Sequence, residues 1–467
     1  MMRAFGAFLA VAIAVMAAAS DAAARQALVG ATIIDGTGGP PIDDGVVLVE
    51  GGRIACVGDR TKCQLAQDVT VVDMTGRYVT PGLVDAHVHL AQTGWVAGRW
   101  ENLPTLYPVD RIHAELRANP QRWHRAYLCS GVTAVFDVGG APWTVTENQG
   151  GELLRADRVH VRAAGPLMTW VSRSADRFLR MDSEEQVRAD IARLVAMGSA
   201  ALKVWFLDPS EERRQELEAM LRVVGEAARD AGLPMIVHAP ELRNAKAALR
   251  AGANMLVHSV WDAPVDAEFL ELLAGNDAWY APTLVVDYNW MKSTSSIVHG
   301  VPAEIDDPNR CVDEGTLERI GEVDAVRDEM GEENLPSLQR GMQAVFNAGQ
   351  RLVHAQYNLR AVRDAGGRIV LATDAGNSLT VHGPSVHWEL EAMEAAGLAP
   401  DEIIRAATLE SARALGMAKH IGSLESGKVA DLLVLAEDPR LTVRNFRTVS
   451  HVMRAGILKP QSELRVR

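Results

Sequence analysis

Two histidines, His87 and His89, stand two residues apart behind Asp85 in the stretch Thr80-Pro-Gly-Leu-Val-Asp-Ala-His-Val-His-Leu90. Alternate residues of an extended strand share a face, so Asp85, His87 and His89 point the same way. Two imidazole lone pairs placed like this can close on one metal ion. A strand that carries two histidines for packing has the same spelling, so the pair gains meaning only from its company. Four more ionisable groups sit in or at the ends of apolar segments: Lys203 in Ala-Leu-Lys-Val-Trp-Phe, His238 after Met-Ile-Val, His258 after Asn-Met-Leu-Val, and Asp374 in Ala-Thr-Asp-Ala-Gly. Singly, each has a plain reading. The histidines can be hydrogen-bonded core residues, Lys203 can pair with a carboxylate or reach water, and Asp374 can close a turn. Jointly they ask for more, because a lysine between Leu202 and Val204 is costly to bury unless something uses its nitrogen.

Such groups need elements that bring them together. Pro81 and Gly82 end what precedes them, and residues 83–90 read as a strand. Short apolar strands then alternate with longer amphipathic helices. The strands are expected at 132–138, 159–164, 200–206, 235–238, 254–260, 279–286 and 368–373, which with the first makes eight. Among the helices, Ser183-Glu-Glu-Gln186 has the form of a capping box, and a long stretch over 289–363 reads as mostly helical. Eight such units predict the α/β class and a (β/α)8 TIM-type barrel over 81–418, with chemistry at the carboxyl ends of its strands. The six groups fall on strands one, four, five, six and eight. Residues 25–80 and 419–467 are β-rich and turn-rich, so both chain ends are expected to build a small β-sandwich domain.

The chain has 467 residues, 48% of them hydrophobic, and a net charge of −13 with both signs interspersed. It carries no basic run or aromatic-basic stripe, which speaks against nucleic acid as a partner. Arg3, the apolar run 4–19 and Ala22-Ala23-Ala24 have the form of a signal peptide, 1–24. Export is the expectation, most simply to a bacterial periplasm, with no stable membrane anchor after processing. In that setting Cys56 and Cys63, which bracket a turn, can pair; Cys129 and Cys311 read as structural.

This set resembles the amidohydrolase superfamily over nearly the whole chain after the leader. The Thr80–His89 motif is similar to the family's first strand. Gly422-Ser-Leu-Glu-Ser-Gly-Lys-Val-Ala-Asp-Leu-Leu-Val-Leu435 looks like its carboxy-terminal signature, and Ala407-Thr408, Ser411-Ala412 and Leu415-Gly416 are similar to the helix before it. Within the superfamily it looks closest to the binuclear imidazolonepropionase-like and Xaa-Pro-dipeptidase-like branch.

The resemblance implies two divalent metal ions, zinc by default. His87, His89 and Asp374 would hold one and His238 and His258 the other. Lys203 would be carboxylated by carbon dioxide and bridge them. A metal-bridging hydroxide would attack the carbonyl of an amide or peptide-like bond, with Asp374 as the proton carrier.

Some features keep other readings open. His238-Ala-Pro-Glu241 resembles the His-x-x-Glu of mononuclear ring hydrolases and deaminases, where the glutamate shuttles a proton; Glu241 can equally be an acid favoured at a helix start. Ala239-Pro240 stands where peptidase-like members often place a tyrosine. His382 can contact substrate or brace its loop. Trp95, Trp205 and Tyr288 can line an apolar pocket, with core packing the simpler reading for Trp205. The substrate is expected to be a small amide or peptide-like molecule, and assembly into a homo-oligomer is compatible with the sequence. A catalytically silent binding protein on the same scaffold is the other function class; the full ligand set argues against it.

Overall fold

The computed structural model describes residues 25–466 apart from 97–102, 149–152, 172–177, 208, 338 and 341–348. The signal peptide expected at 1–24 lies outside the described residues. No helix among those described is long and apolar enough to cross a membrane.

Strands β1 (Gln26–Ile33), β2 (Ile42–Glu50), β3 (Arg53–Gly58), β4 (Thr70–Asp73) and β5 (Tyr78–Pro81) come first. Period-two alternation gives this sheet two apolar faces. Leu28, Val47 and Val49 fill one buried cluster, while Ala27, Val29, Val46 and Leu48 fill another.

Gly82 turns the chain into β6 (Leu83–Val88), and a Cβ there would collide with the Thr133 side chain. The strands that follow are β7 (Val132–Asp137), β8 (His160–Ala163), β9 (Leu167–Thr169), β10 (Phe178–Arg180), β11 (Leu202–Trp205), β12 (Met235–His238), β13 (Met255–Val257), β14 (Trp279–Ala281) and β15 (Arg368–Ile369). They form two parallel sheets, ordered β6-β7-β8 and β10-β9-β11-β12-β13-β14-β15. Backbone bonds join the two sheets at both seams. Ala200 N donates to Ala163 O at 2.8 Å on one side; on the other, Asp374 N donates to His87 O and His89 N to Ala375 O, each at 2.8 Å. Helices such as Glu184–Met197, Glu211–Asp230 and Leu242–Arg250 alternate with the strands. The α/β alternation expected from the sequence is therefore present.

The carboxyl-end strands β16 (Leu432–Leu435), β17 (Val449–Arg454) and β18 (Ile457–Pro460) pair back onto the start of the chain. β16 runs antiparallel to β5, with Leu433 opposite Thr80, so both chain ends share one eight-stranded sheet.

Several details differ from the sequence reading. The third strand ends near Ala164 as expected but resumes as β9 beyond Gly165, at φ +75°, and Pro166, which has no N–H to give the ladder. The strand expected over 279–286 stops at Ala281. Pro282 and left-handed Thr283, φ +47°, then start the helix Leu284–His299. Ser183 caps its helix by accepting from Gln186 N, 3.2 Å. The helical run that starts at Pro400 widens at Ala406–Glu410 into a π-helical turn, where Ser411 Oγ donates to Ala406 O five residues back at 2.7 Å.

All four cysteines pair. Cys56 is joined to Cys63, and Cys129 to Cys311 across 182 residues. The second bond ties the helix Gln121–Cys129 to the segment before the helix Glu314–Gly321. By loop-closure entropy a bridge of this span is worth about 5 kcal/mol. Replacing both Cys129 and Cys311 with alanine should lower the unfolding free energy by roughly that amount, read as the shift in urea midpoint at constant m; an unmoved midpoint would show that the bridge constrains nothing.

Candidate metal centre

One cavity of about 280 Å³ is lined by all six of the groups picked out at strand ends: His87, His89, Lys203, His238, His258 and Asp374. Larger clefts of about 690 and 890 Å³ contain none of them. Register explains the convergence. Trp205 pairs with His238, and His238 with Val257, so the ends of β11, β12 and β13 stand side by side. At the seam between β6 and the segment after β15, the bonds of Asp374 N and His89 N place the two histidines of the first strand against Asp374.

The atoms that meet there are mostly lone pairs. His87 Nε2 and His89 Nε2 are 3.3 Å apart, and Asp374 Oδ1 lies 3.3 Å from the first and 3.0 Å from the second. His258 Nε2 is 3.9 Å from Asp374 Oδ2, and the rings of His238 and His258 are 4.6 Å apart at their centres. His89 Nδ1 faces the carbonyl of Gly139 at 2.7 Å; a carbonyl only accepts, so the proton is assigned to Nδ1 and Nε2 is left bare. Asp374 Oδ1 accepts no hydrogen bond although two imidazole nitrogens face it, and His87 Nδ1 has no partner either. Lone pairs packed this tightly repel unless a cation lies among them, and His87, His258 and Asp374 can each offer one ligand atom within 4.8 Å of the others. The donor set of imidazole and carboxylate suits zinc and its neighbours.

Burial sets the charge states. Desolvation, helped by Lys203 and the other three imidazoles, holds His87 well below its usual range, so it is neutral and able to ligate. Lys203 is 3% exposed; burial lowers its pKa to about 7 against the pull of Asp374 and Asp137. Burial also acts to raise Asp374, but the surrounding imidazoles and Lys203 more than offset it, and the carboxyl stays below its ordinary value.

Three non-glycine residues at this mouth are left-handed: His258 at φ +73°, Thr283 at +47° and Asp374 at +61°. Each such conformation costs about 1 kcal/mol or more and persists only when neighbours enforce it. Here they do. His258 Nδ1 is 2.7 Å from Thr283 Oγ1, and Glu389 accepts from the N–H groups of Leu284 and Val285 at 2.8 and 3.0 Å. Asp85 shares a face with the two histidines but is a strap instead of a ligand. It takes the Thr373 N–H at 3.1 Å and hydroxyl at 2.6 Å, locking the first strand to the residue before Asp374.

Two residues chosen from the sequence do not line this cavity. Glu241 Oε2 accepts from Asn244 Nδ2 at 3.1 Å, and Asn244 in turn binds Arg214 at 3.0 Å. The acid thus serves a polar network at its helix start. His382 has both nitrogens taken, Nδ1 facing the Tyr127 hydroxyl at 2.7 Å and Nε2 the Gln92 carbonyl at 2.9 Å, so it braces its loop. Among the aromatics, Trp205 does line the cavity, edge-on to His238, whereas Trp95 is buried against Tyr107 and Tyr288 lies in neighbouring clefts. Sequence reasoning missed Asp137, a buried carboxylate at the end of β7 that acts electrostatically on both His89 and Lys203. The strand-end criterion that found the other six would have found it. It also missed Arg351 and Trp261, which line the cavity from outside the strands.

Comparison with known proteins shows the family of the chain. Residues 78–458 match the Amidohydrolase family. The chain is 26% identical over 440 residues to the imidazolonepropionase of Geobacillus kaustophilus (strain HTA426), covering 88% of each. It is 25% identical over 520 residues to the N-substituted formamide deformylase of Arthrobacter pascens, covering 84% of this chain and 90% of that one. A solved Xaa-Pro dipeptidase with bound methionine in the active site shares the fold, with a TM-score of 0.67 at 20% identity over 93% of this chain and 100% of the other. With most of its length matched, the chain belongs to the amidohydrolase family, enzymes that hydrolyse carbon–nitrogen bonds.

Proposed function

We propose that the protein is an exported, binuclear metal-dependent amidohydrolase that cleaves an amide or peptide-like bond in a small molecule. The observation that carries this reading is the convergence of bare imidazole and carboxylate lone pairs beside a buried lysine. His87, His89 and Asp374 would hold one ion, His238 and His258 the other, and Lys203 would bridge them as a carbamate. Bound there, divalent metal supplies Lewis acidity and a water acidic enough to ionise near neutral pH.

The protein's own part is to hold and to move protons. Gly139 and Thr283 fix the His89 and His258 rings so that their Nε2 atoms stay turned inward. The Asp85–Thr373 strap keeps Asp374 at the seam, where its unbonded oxygen can take the proton of an attacking water and deliver it to the leaving nitrogen. Burial leaves much of Lys203 as the neutral amine. Its nitrogen can bond to the carbon of carbon dioxide and lose a proton, which gives an anion with two ligand oxygens. The displacement of Glu241 into the Arg214–Asn244 network weighs against a mononuclear deaminase that uses it as a shuttle.

Several parts of the scaffold belong to the same proposal. β6, β7, the interrupted β8–β9 and β11 to β15 close into an eight-stranded barrel over 81–418, with β10 added beside β9, and the sheet of the two chain ends, 25–80 with 419–467, curls into a sandwich. Residues 1–24 act as a cleavable leader to the periplasm, a reading that the two disulfides support because such bonds persist in oxidising compartments.

Metal analysis of the purified protein tests the centre. About two ions per chain are expected, and isotopically labelled bicarbonate should give a carbamate signal that is lost in Lys203→Ala. One ion and no carbamate would overturn the binuclear reading.

A further inference from the structure

The metal cavity does not end at the metal ligands. A second lobe of about 410 Å³ opens from it, and His258, Trp261, Val286, Asp287 and Arg351 line both. Beyond that shared throat the walls are largely apolar: Pro282, Leu284, Met291, Leu352 and Ala355. Two of the lining residues stay open to solvent, Tyr288 at 60% and Leu352 at 48% exposure. Exposed apolar side chains gathered around one concavity mark a place where something apolar binds.

At the throat stands a cation. The Arg351 guanidinium lies 4.7 Å from the centre of the Trp261 ring and attracts Asp287 across the throat, but no carboxylate among the described residues stands at ion-pair distance from it. The backbone of Trp261 is held at both ends, its amide N–H donating to Pro240 O at 2.9 Å and its carbonyl accepting from His354 Nδ1 at 3.0 Å. A planar guanidinium stacked on a ring keeps its edge free for a carboxylate.

We propose that the substrate is an N-acylated α-amino acid with a bulky apolar side chain: its scissile amide lies at the metal ligands, its carboxylate on Arg351, and its side chain in the apolar lobe. The order of groups along the cavity sets this assignment. Metal ligands, then a cation, then apolar walls match amide nitrogen, then carboxylate and side chain branching from one carbon. The inference rests on the proposed amide hydrolysis and adds to it which amine leaves.

The test uses metal-loaded full-length mature protein. kcat/KM is measured for N-acetyl-L-phenylalanine, N-acetylglycine and the carboxamide of the first. The phenylalanine acid should exceed each of the others by roughly 30-fold or more. Arg351→Met should lose about 100-fold on the acid and a far smaller factor on the carboxamide, while Leu352→Glu should shrink the advantage over N-acetylglycine. Calorimetry supplies a readout apart from turnover: L-phenylalanine should bind at least about tenfold tighter than glycine, and Arg351→Met should weaken it. Hydrolysis of all three acetyl compounds at similar rates, or equal losses on acid and carboxamide in Arg351→Met, would overturn this inference and leave amide hydrolysis standing. A metal-loaded protein that hydrolyses none of them and binds neither amino acid would overturn both.

Discussion

Asp374→Asn should cut kcat by at least ~1,000-fold while most of the metal stays bound. The two outcomes separate because the residue is asked to do two things. Asparagine keeps the shape and one coordinating oxygen, and the four histidines remain. What disappears is the negative charge and the atom able to accept a proton. Asp374 Oδ1 already accepts no hydrogen bond in the structure, so the substitution breaks no bond network at that atom, and the left-handed backbone at φ +61° is one that asparagine tolerates. A loss of activity with intact secondary structure and near-normal metal content would therefore report the lost proton carrier. Turnover within a few fold of wild type would reject that role outright. Loss of both metal and activity would say instead that the charge of Asp374 mainly holds the ions.

Lys203→Ala should have an effect of comparable size and a different signature. On the proposed bridging role, its removal should cost more than the ~100-fold typical of outer-sphere changes, and metal content should fall. Because only a two-oxygen anion is missing, acetate, propionate or formate supplied in the assay should restore part of the rate, saturating with concentration. Lys203 is buried, so alanine leaves a cavity open to the ligand site where such an anion fits. Lys203→Arg serves as the control, since a guanidinium keeps its charge and cannot be carboxylated. Unchanged activity and metal content in Lys203→Ala would reject the bridge.

The six candidate ligands were legible because two local regularities coincide. Apolar runs of strand length recur between helical patterns, and a polar residue at the end of such a run has little structural reason to be there. That rule needs no partner to be known. It failed where the partner lies far off in sequence. His382 looked available for substrate, yet its ring is held by Tyr127, 255 residues away. Glu241 is a different case: Asn244, only three residues on, binds it and is itself held by Arg214. The Cys129–Cys311 bond spans 182 residues, and no local pattern announces it. Trp205 turns to the cavity because the side of β11 that its ring faces depends on register, and spacing alone cannot supply it. The strand expected over 279–286 is a different kind of miss: Val285 and Val286 continue the apolar pattern past Pro282, but they belong to the helix that starts at Leu284. Arg351 escaped notice because a lone arginine on a helix usually faces water; only the throat around it makes it conspicuous.

The pairing of β5 with β16 has a consequence for how the protein is made. Translation delivers the amino end first, so the first five strands emerge with one edge unsatisfied and must wait for Leu432–Leu435 before that edge is covered. For most of synthesis the growing polypeptide therefore presents an open β-edge, the kind of surface that recruits holdase chaperones or misassembles with a neighbouring nascent chain. Truncations that stop short of Leu432 but keep residues up to Asp374 should for that reason aggregate even though they retain every candidate metal ligand.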